Sequence, residues 1–446
     1  MLLPDLPAEL LKSISENLDS ERSISAFSRA NHRLYNLLTE HLYRHNARWR
    51  GSSALFWAAR QGREETVRKA IRWGAEVQAA SQRPLAAALQ VASAGGHEKV
   101  VQLLLDKNAD VNAQGLRFGS ALQAASARGH EMVVQLLLDN NADVNAQGGH
   151  FGSALQAASA RGHEKIAQLL IDKNADVNAE GGYHGNALQA ASAGGHEKIV
   201  QLLLDKNADV NAQGGHFGSA LHAALARGHE KIAQLLIDKN ADVNAEGGYH
   251  GNALQEASAI GHEMVVQLLL DNNADVNAQG GYYGNALQAA SAGGHEKIVQ
   301  LLIDKNADVN AQGGHDGNAL QEASAIGHEM KIVQLLIDKN ADVNAQGGHF
   351  GSALQAASAR GHETIAQLLI DNNADVNAEG GYYGNALHAA SLGGHETIAQ
   401  LLIDKNADVN AQGGHFGSAL QAASAGGHET IVQLLLAKNA DNYIQK

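Results

Sequence analysis

Most of the chain repeats one order of apolar and polar positions. In the copy from 185 to 211, Asn186 can cap an alanine-rich helix over 187–193, and a glycine pair at 194–195 can end it. A second stretch carries apolar residues at three- and four-residue spacing: Ile199, Val200, Leu202, Leu203 and Leu204. Asn207 can end that helix in the left-handed conformation. The pattern predicts helix, turn, helix and then a glycine-rich projecting loop.

This order recurs every 33 residues. The aspartate of Asn-Ala-Asp-Val-Asn falls at Asp110, Asp143, Asp176, Asp209, Asp242, Asp275 and Asp308, then at Asp342, Asp375, Asp408 and Asp441. With a looser first copy around Glu76, we count twelve repeats. Met330 is one extra residue; we expect it to bulge the second helix or lengthen the preceding loop, and favour a tolerated insertion over a bend. Such a period indicates stacked two-helix units, about 24 helices in all. An array of this kind is usually a binding surface and not an enzyme.

The repeat resembles the ankyrin repeat. The phrases that carry the resemblance are Ala-Leu-Gln-x-Ala-Ser, Gly-His-Glu, Gln-Leu-Leu and Asn-Ala-Asp-Val-Asn-Ala. It implies an all-α solenoid of about twelve helix-turn-helix repeats with hairpin loops over residues 51–446. Gln replaces the usual His of the first helix except at His222 and His388, and Asn replaces the glycine after helix two except at Gly74. The copies are also similar to ankyrin arrays of filamentous fungi.

Residues 1–50 have a different pattern, which predicts three helices near 6–18, 20–30 and 32–43. The spacing of Leu6, Pro7, Leu10, Leu11 and Ile14 resembles an F-box, although the aromatic expected after Arg29 is missing. The resemblance implies that these five residues bind a Skp-type adaptor of a cullin ubiquitin ligase while the repeats select the substrate. The alternative is a helical cap that covers the first repeat in a non-ligase scaffold.

The junction between the two parts contains all three tryptophans of the chain, Trp49, Trp57 and Trp73. Their clustering within 25 residues predicts a packed joint between the N-terminal helices and the first repeat.

Composition narrows the function further. The chain has no cysteine, which excludes disulfides and thiolate chemistry, and its formal charge of -14 argues against nucleic acid. No apolar run approaches the roughly 18 residues of a membrane span, and the first residues lack a secretory pattern. We therefore expect an intracellular protein, cytoplasmic or nuclear, that binds neutral or basic proteins. No phosphate loop or nucleophile motif is present, so we predict no enzyme activity and no cofactor.

The loop tips are the candidate binding surface, because eleven of the nineteen aromatic residues lie there. Exposed aromatic residues in series are typical of interface hot spots. With the arginines that end several first helices, the predicted partner-binding residues are Phe118, Arg128, His150, Phe151, Arg161, Tyr183, His216, Phe217, Arg227, Tyr249, Tyr282, Tyr283, His349, Phe350, Arg360, Tyr382, Tyr383, His415 and Phe416. The ankyrin resemblance places both positions on a concave groove that grips a protein or peptide. We expect neighbouring tips about 10 Å apart. The alternative is a structural ladder in which each aromatic only stacks on its neighbour.

Histidines are frequent, but their pattern does not favour a metal site. Eleven of the twenty-three lie in Gly-His-Glu or its equivalent, from His97 to His428, and the ankyrin resemblance makes them structural braces. The tip histidines, such as His315, lie in different repeats, so we expect them not to converge on one ion.

Overall fold

The computed structural model describes residues 6–16, 29–30, 32–49, 52–74, 88–115, 119–247, 251–327 and 330–438. The chain divides into two compact units, Met1–His216 and Phe217–Lys446. Apart from one two-stranded hairpin and isolated bridges, the described residues are helices and turns, as predicted.

In the described residues, the first unit has two N-terminal helices followed by five helix pairs. The N-terminal helices are α1 (Ala8–Glu16) and α2 (His32–Trp49). The pairs are α3 (Ser53–Arg60) with α4 (Glu64–Arg72), α5 (Ala88–Ala94) with α6 (Glu98–Asp106), α7 (Ala121–Arg128) with α8 (Glu131–Asp139), α9 (Ala154–Arg161) with α10 (Glu164–Asp172), and α11 (Ala187–Gly194) with α12 (Glu197–Asp205).

The second unit contains seven further pairs. They are α13 (Ala220–Leu225) with α14 (Glu230–Asp238), α15 (Ala253–Ile260) with α16 (Glu263–Asp271), α17 (Ala286–Gly293) with α18 (Glu296–Asp304), α19 (Ala319–Ile326) with α20 (Met330–Asp338), α21 (Ala353–Arg360) with α22 (Glu363–Asp371), α23 (Ala386–Gly393) with α24 (Glu396–Asp404), and α25 (Ala419–Gly426) with α26 (Glu429–Ala437). Strands β1 (Glu246–Gly247) and β2 (Gly251–Asn252) pair in antiparallel fashion. Twelve pairs in the described residues confirm the predicted number of repeats.

The helix ends follow the capping chemistry in the sequence. The side chain of Asn186 accepts a hydrogen bond from the Gln189 backbone N–H, and Gly195 ends α11 with a φ of 76°. Asn207 adopts a φ of 61° after α12. Short polar side chains and glycine satisfy the unpaired backbone groups at helix ends, so each short helix is delimited locally.

The glutamine found in most first helices explains why this array can dispense with the usual histidine. Gln189 Oε1 accepts the N–H of Asn186 at 2.7 Å, and its Nε2 donates to the carbonyl of Ala212 in the next repeat at 3.1 Å. One amide thus caps its own helix and fixes the following loop, because glutamine carries a donor and an acceptor. His388 makes only the second type of contact, donating from Nε2 to the Ala411 carbonyl at 3.1 Å.

The Gly-His-Glu histidines brace consecutive repeats. His395 Nε2 donates to the Ala359 carbonyl at 3.2 Å, and His428 Nε2 to the Leu392 carbonyl at 2.9 Å. Burial lowers the pKa of His163, because it disfavours the charged form of the ring. Within the described residues, no three His, Cys, Asp or Glu side chains lie together in a way that could hold a metal ion.

The N-terminal helices pack in sequence order. Leu11 of α1 is buried against Leu34 and Leu38 of α2. In turn, α2 joins the first repeat, since Asn46 donates to Ser53 Oγ at 2.8 Å and accepts from the Ala54 N–H at 2.9 Å. The helix predicted over 20–30 lies almost entirely outside the described residues.

The prediction that the three tryptophans pack together at the junction is wrong for Trp57. Trp57 of α3 is 58% exposed instead of packed. Trp73 is half-buried, with the guanidinium of Arg44 5.7 Å from its ring centroid. The side chain of Trp49 lies outside the described part. The joint therefore depends on Asn46 and Trp73.

The insertion at Met330 adjoins residues 328–329, which lie outside the described residues, so the choice between a bulge and a longer loop stays a prediction. In the described residues α20 begins at Met330 and has nine residues, as α16 has. No helix in the described ranges is long and apolar enough to cross a membrane.

Candidate protein-binding site

Each loop tip is a tight hairpin closed by glycine backbone. Gly148 N donates to the Gly152 carbonyl at 2.8 Å, and the same bridge recurs in the later repeats. Gly182, in the next tip, has a φ of 65°, and a Cβ there would collide with the backbone of Phe151. The second glycine of each Gly-Gly pair therefore permits one hairpin to lie directly on its neighbour.

Neighbouring tips are joined by backbone hydrogen bonds. Tyr183 N donates to the His150 carbonyl at 3.0 Å, and Tyr382 N donates to the His349 carbonyl at 2.9 Å. The predicted separation of about 10 Å is wrong for the side chains here, because rings on successive tips lie 4.9 to 5.7 Å apart. Hydrogen-bonded backbones approach at strand-like spacing, about 4.8 Å, and not at helix-packing distance.

The first residue of each tip belongs to what we call the outer row. Its described members are His150, Tyr183 and His216 in the first unit, and Tyr282, His315, His349, Tyr382 and His415 in the second. All are exposed; Tyr382, for example, is 43% exposed. Adjacent rings are nearly parallel, with interplanar angles from 11° to 28°. The structural ladder and the exposed surface, weighed as alternatives, coexist in this row.

The second residue of each tip belongs to the inner row, which behaves differently. Phe151 and Phe350 are buried, Phe350 to 2% exposure. Phe350 packs against Ala325 and Ala356 of two successive first helices and stacks on Tyr383 with 6.1 Å between centroids. The prediction of exposed tip aromatics is therefore wrong for these two phenylalanines, because small alanines leave a cavity that they fill.

Four other predicted inner-row residues are half-buried: Phe217, Tyr283, Tyr383 and Phe416. Two predicted binding residues, Phe118 and Tyr249, lie outside the described residues. The partner-accessible aromatic surface in the described ranges is therefore mainly the outer row.

Arginines at the ends of first helices cover inner-row phenylalanines. The guanidinium carbon lies 5.6 Å from the ring centroid for Arg161 over Phe151, and 5.6 Å for Arg360 over Phe350. Arg227 lies over Phe217 at 5.5 Å. These arginines and Arg128 are exposed. A cation on an aromatic face is attracted by the ring quadrupole, so the ring holds the guanidinium in place.

Two buried glutamates were not singled out from the sequence. Glu256 and Glu322 occupy the position of Ala356, and both are buried. Burial raises the pKa of Glu256 to about 7. Burial, with a contribution from the Asp316 carboxylate, raises the pKa of Glu322 to about 8. Both carboxyls carry a substantial protonated population near neutral pH.

A sequence signal for these glutamates existed. Only the repeats that read Ala-Leu-Gln-Glu also end the first helix with isoleucine, at Ile260 and Ile326. In the same repeats the inner-row aromatic is replaced by His250 or Asp316. In these two repeats a glutamate is thus buried at the position of Ala356, and an exposed isoleucine takes the place of the arginine.

The predicted adaptor residues separate into two groups. Leu11 is buried in the N-terminal core, and Leu6 is half-buried against it. Pro7 is exposed, Leu10 is 52% exposed, and Ile14 is exposed one helical turn further along. Pro7, Leu10 and Ile14 thus remain accessible, whereas Leu11 serves the core.

The whole repeat region matches a known family. The family model described as "Ankyrin repeats (3 copies)" matches residues 23–115, 55–148, 121–214, 214–280, 254–347, 286–380, 320–413 and 354–446. The chain belongs to the ankyrin-repeat family. Ankyrin repeats bind proteins, so the chain is a protein–protein interaction module, of a kind that is typically non-enzymatic. No curated protein matches the chain.

Proposed function

We propose that the repeats bind a protein ligand through the outer row and the arginines of the first helices, the positions that the ankyrin resemblance assigns to the concave face. We also propose that α1 docks a Skp-type adaptor. The chain would then be the substrate receptor of a cullin-type ubiquitin ligase. The observation that carries the adaptor role is the division of α1 into a buried face with Leu11 and an accessible face with Leu10 and Ile14.

The ligand side is supported by the chemistry of the outer row. Its rings are already ordered by stacking and backbone hydrogen bonds, so binding costs little conformational entropy. Tyrosines such as Tyr183 and Tyr382 offer large amphipathic area. Arg161 and Arg360 add donors for carbonyl or carboxylate groups. These features suit a protein segment with apolar or aromatic anchors and acceptor groups.

A scaffold without ligase activity is the second candidate. The observation in its favour is that α2 packs on the first repeat through Asn46, as a terminal cap of a solenoid must. Both roles can coexist, because α2 makes the capping contact while α1 exposes Leu10 and Ile14.

The test is co-purification of the full chain with a recombinant Skp-type adaptor. The Leu10→Ala/Ile14→Ala variant should lose the adaptor by at least about tenfold, since each truncation removes exposed apolar contact area without touching the core. A Leu38→Ala variant serves as a folding control. Wild-type chain that is folded by circular dichroism yet retains no adaptor would leave the scaffold role.

The ligand side is tested separately, by affinity purification with a Tyr183→Ser/Tyr382→Ser variant. Proteins captured by the wild-type chain and lost from this variant would be candidate substrates. Identical capture by both chains would contradict binding through the outer row.

A further inference from the structure

The face formed by the second helices carries a ladder of ion pairs through much of the array. In several repeats a lysine near the start of the second helix reaches the first glutamate of the preceding one, whereas Met132 and Met264 take the place of this lysine in two others. Lys198 Nζ lies 3.2 Å from Glu164 Oε2, and Lys297 Nζ lies 3.3 Å from Glu263 Oε2. Lys165–Glu131 and Lys331–Glu296 repeat the arrangement at 3.5 and 3.4 Å. These exposed pairs contribute little stability, but each lysine neutralises a carboxylate and covers the surface between helices.

The ladder stops in the last three repeats, where threonine takes the place of lysine. Thr364, Thr397 and Thr430 are the residues concerned. Thr397 stands where a lysine would pair with Glu363, and within the described ranges Glu363 has no ion pair. The shorter side chains leave the surface between α22 and α24 uncovered and the charge of Glu363 uncompensated.

A groove opens at this place. It has a volume of about 590 Å³ and is lined by residues of α20, α22 and α24. The apolar lining is Leu368, Leu401 and Met330. Carboxylates stand around it: Glu363 at one end, and Asp371 and Asp404 at the other. Gln367 Nε2 donates to Asp371 at 2.7 Å, Gln400 Nε2 donates to Asp404 at 2.7 Å, and Lys405 lies 3.9 Å from Asp371.

The inserted residue contributes directly to the groove. Met330 occupies the first position of α20, which is glutamate in sister repeats such as Glu296, and it is 53% exposed. An unbranched, polarisable side chain adapts to different apolar partners. Two separate sequence changes therefore lie on one surface: threonine replaces lysine at Thr364 and Thr397, and Met330 is inserted in the preceding repeat.

We propose that this groove docks a basic amphipathic helix of a partner protein. Helices of nine residues are about 14 Å long, so the groove accommodates two to three turns of a helix lying along α22 and α24. Apolar residues of the ligand contact Leu368, Leu401 and Met330, while its lysines or arginines face Glu363, Asp371 and Asp404. Within the described residues Glu363 and Asp404 have no lysine partner, which makes the site selective for a cationic ligand. The site lies on second helices and is independent of the outer row.

The experiment measures fluorescence anisotropy of a labelled synthetic helix of about 14 residues, with leucines on one face and lysines on the other. The full chain should bind it, and a scrambled peptide of equal composition should bind at least about tenfold more weakly. Equal binding of the two peptides would overturn the proposal, because only nonspecific attraction to an acidic chain would remain.

Two variants locate the site. Thr364→Lys/Thr397→Lys restores the lysines of sister repeats and should weaken binding at least about tenfold by repulsion and coverage. Deletion of Met330 restores the sister spacing, so the fold is retained, and should weaken binding several-fold. A Gln168→Lys/Gln201→Lys chain adds the same charge to second helices of the first unit and should bind like wild type. Equal losses in both lysine variants would overturn the assignment.

A second copy of the chain is the competing occupant, and sedimentation velocity distinguishes it. A monomer that binds the helical probe supports the proposal. A concentration-dependent dimer that Thr364→Lys/Thr397→Lys dissociates would overturn it in favour of self-association. Neither result depends on the adaptor or on the outer row, so this proposal and the proposed function can fail separately.

Discussion

The outer and inner rows are adjacent in sequence but differ in environment. Tyr382 is exposed and contacts mainly other tip rings, whereas Phe350, one repeat earlier and one position along, is buried among alanines of two first helices. Alternation along a hairpin sends neighbouring side chains to opposite faces. One face of each tip therefore joins the core, and the other is free to meet a ligand.

This difference changes how the repetition is interpreted. An aromatic at the inner position is selected by the cavity beneath it, so its recurrence carries no information about a ligand. At the outer position histidine and tyrosine exchange freely, because a stacked planar ring is all that the ladder requires. Variation there is compatible with the fold, and recognition can be tuned without loss of stability.

The largest expected effect comes from the inner row. Phe350→Ala should lower the free energy of unfolding of its repeats by about 3–5 kcal/mol, because it empties a closely packed site. Urea unfolding, with hydrogen exchange of α19 and α21, measures the loss. Phe416→Ala is the matched control, since Phe416 is only half-buried and no arginine stands at the end of its helix, where Gly426 lies. Equal losses in the two variants would contradict the cavity explanation.

The second prediction concerns the repeat in which Asp316 and Glu322 replace the aromatic and the alanine. The pKa of Glu322 is about 8 in the folded chain against an ordinary value of 4.5. A raised pKa contributes stability that is fully present below pH 4.5 and lost as pH rises through 8. At pH 7, which is 2.5 pH units above 4.5, the loss should be about 3 kcal/mol, at about 1.4 kcal/mol per pH unit.

Hydrogen exchange of α19 at several pH values provides the measurement. Glu322→Gln keeps the shape of the side chain and should flatten the dependence between pH 5 and 8 relative to wild type. His315 and Asp316 lie in the tip of the same repeat and are identical in both chains, so the two chains differ only at Glu322. Parallel pH profiles in the two chains would show that Glu322 does not titrate in this range.

A smaller effect is expected for the arginine that covers the inner row. Arg360→Ala removes the cation from the face of Phe350 and should cost about 0.5–1 kcal/mol, the range for exposed cation–π pairs. Arg360→Lys should retain part of it. Thermal unfolding of the three chains measures the difference; a loss as large as that of Phe350→Ala would mean that the arginine supports the core.

Much of this fold could be predicted from sequence, because each repeat is delimited by local chemistry. Caps such as Asn186 and left-handed ends such as Asn207 act within a few residues, and twelve copies reinforce the same pattern. The effect of the insertion at Met330 could not be predicted, because a bulge and a longer loop both fit one extra residue.

The position of the candidate binding site at the loop tips could be predicted from sequence, but not which of the two side chains of each tip is buried. The tip pairs were found as aromatic clusters, yet nothing in the two letters His-Phe says which ring is buried. That depends on alanines such as Ala325 and Ala356, which come from two different repeats. The same holds for Leu11, which the F-box resemblance assigns to the adaptor and which the structure places against Leu34 and Leu38.

The smallest expected effect on stability is in the outer row. Tyr382→His exchanges one ring that the row already uses for another, so the stacks on His349 and His415 and the backbone hydrogen bonds persist. We expect the free energy of unfolding to change by less than about 0.5 kcal/mol, the usual range for surface substitutions. Capture of a ligand protein should nevertheless fall several-fold, because the hydroxyl and much of the exposed area are lost. A variant that unfolds at lower urea but captures ligand normally would reverse the assignment and make the outer row the structural one.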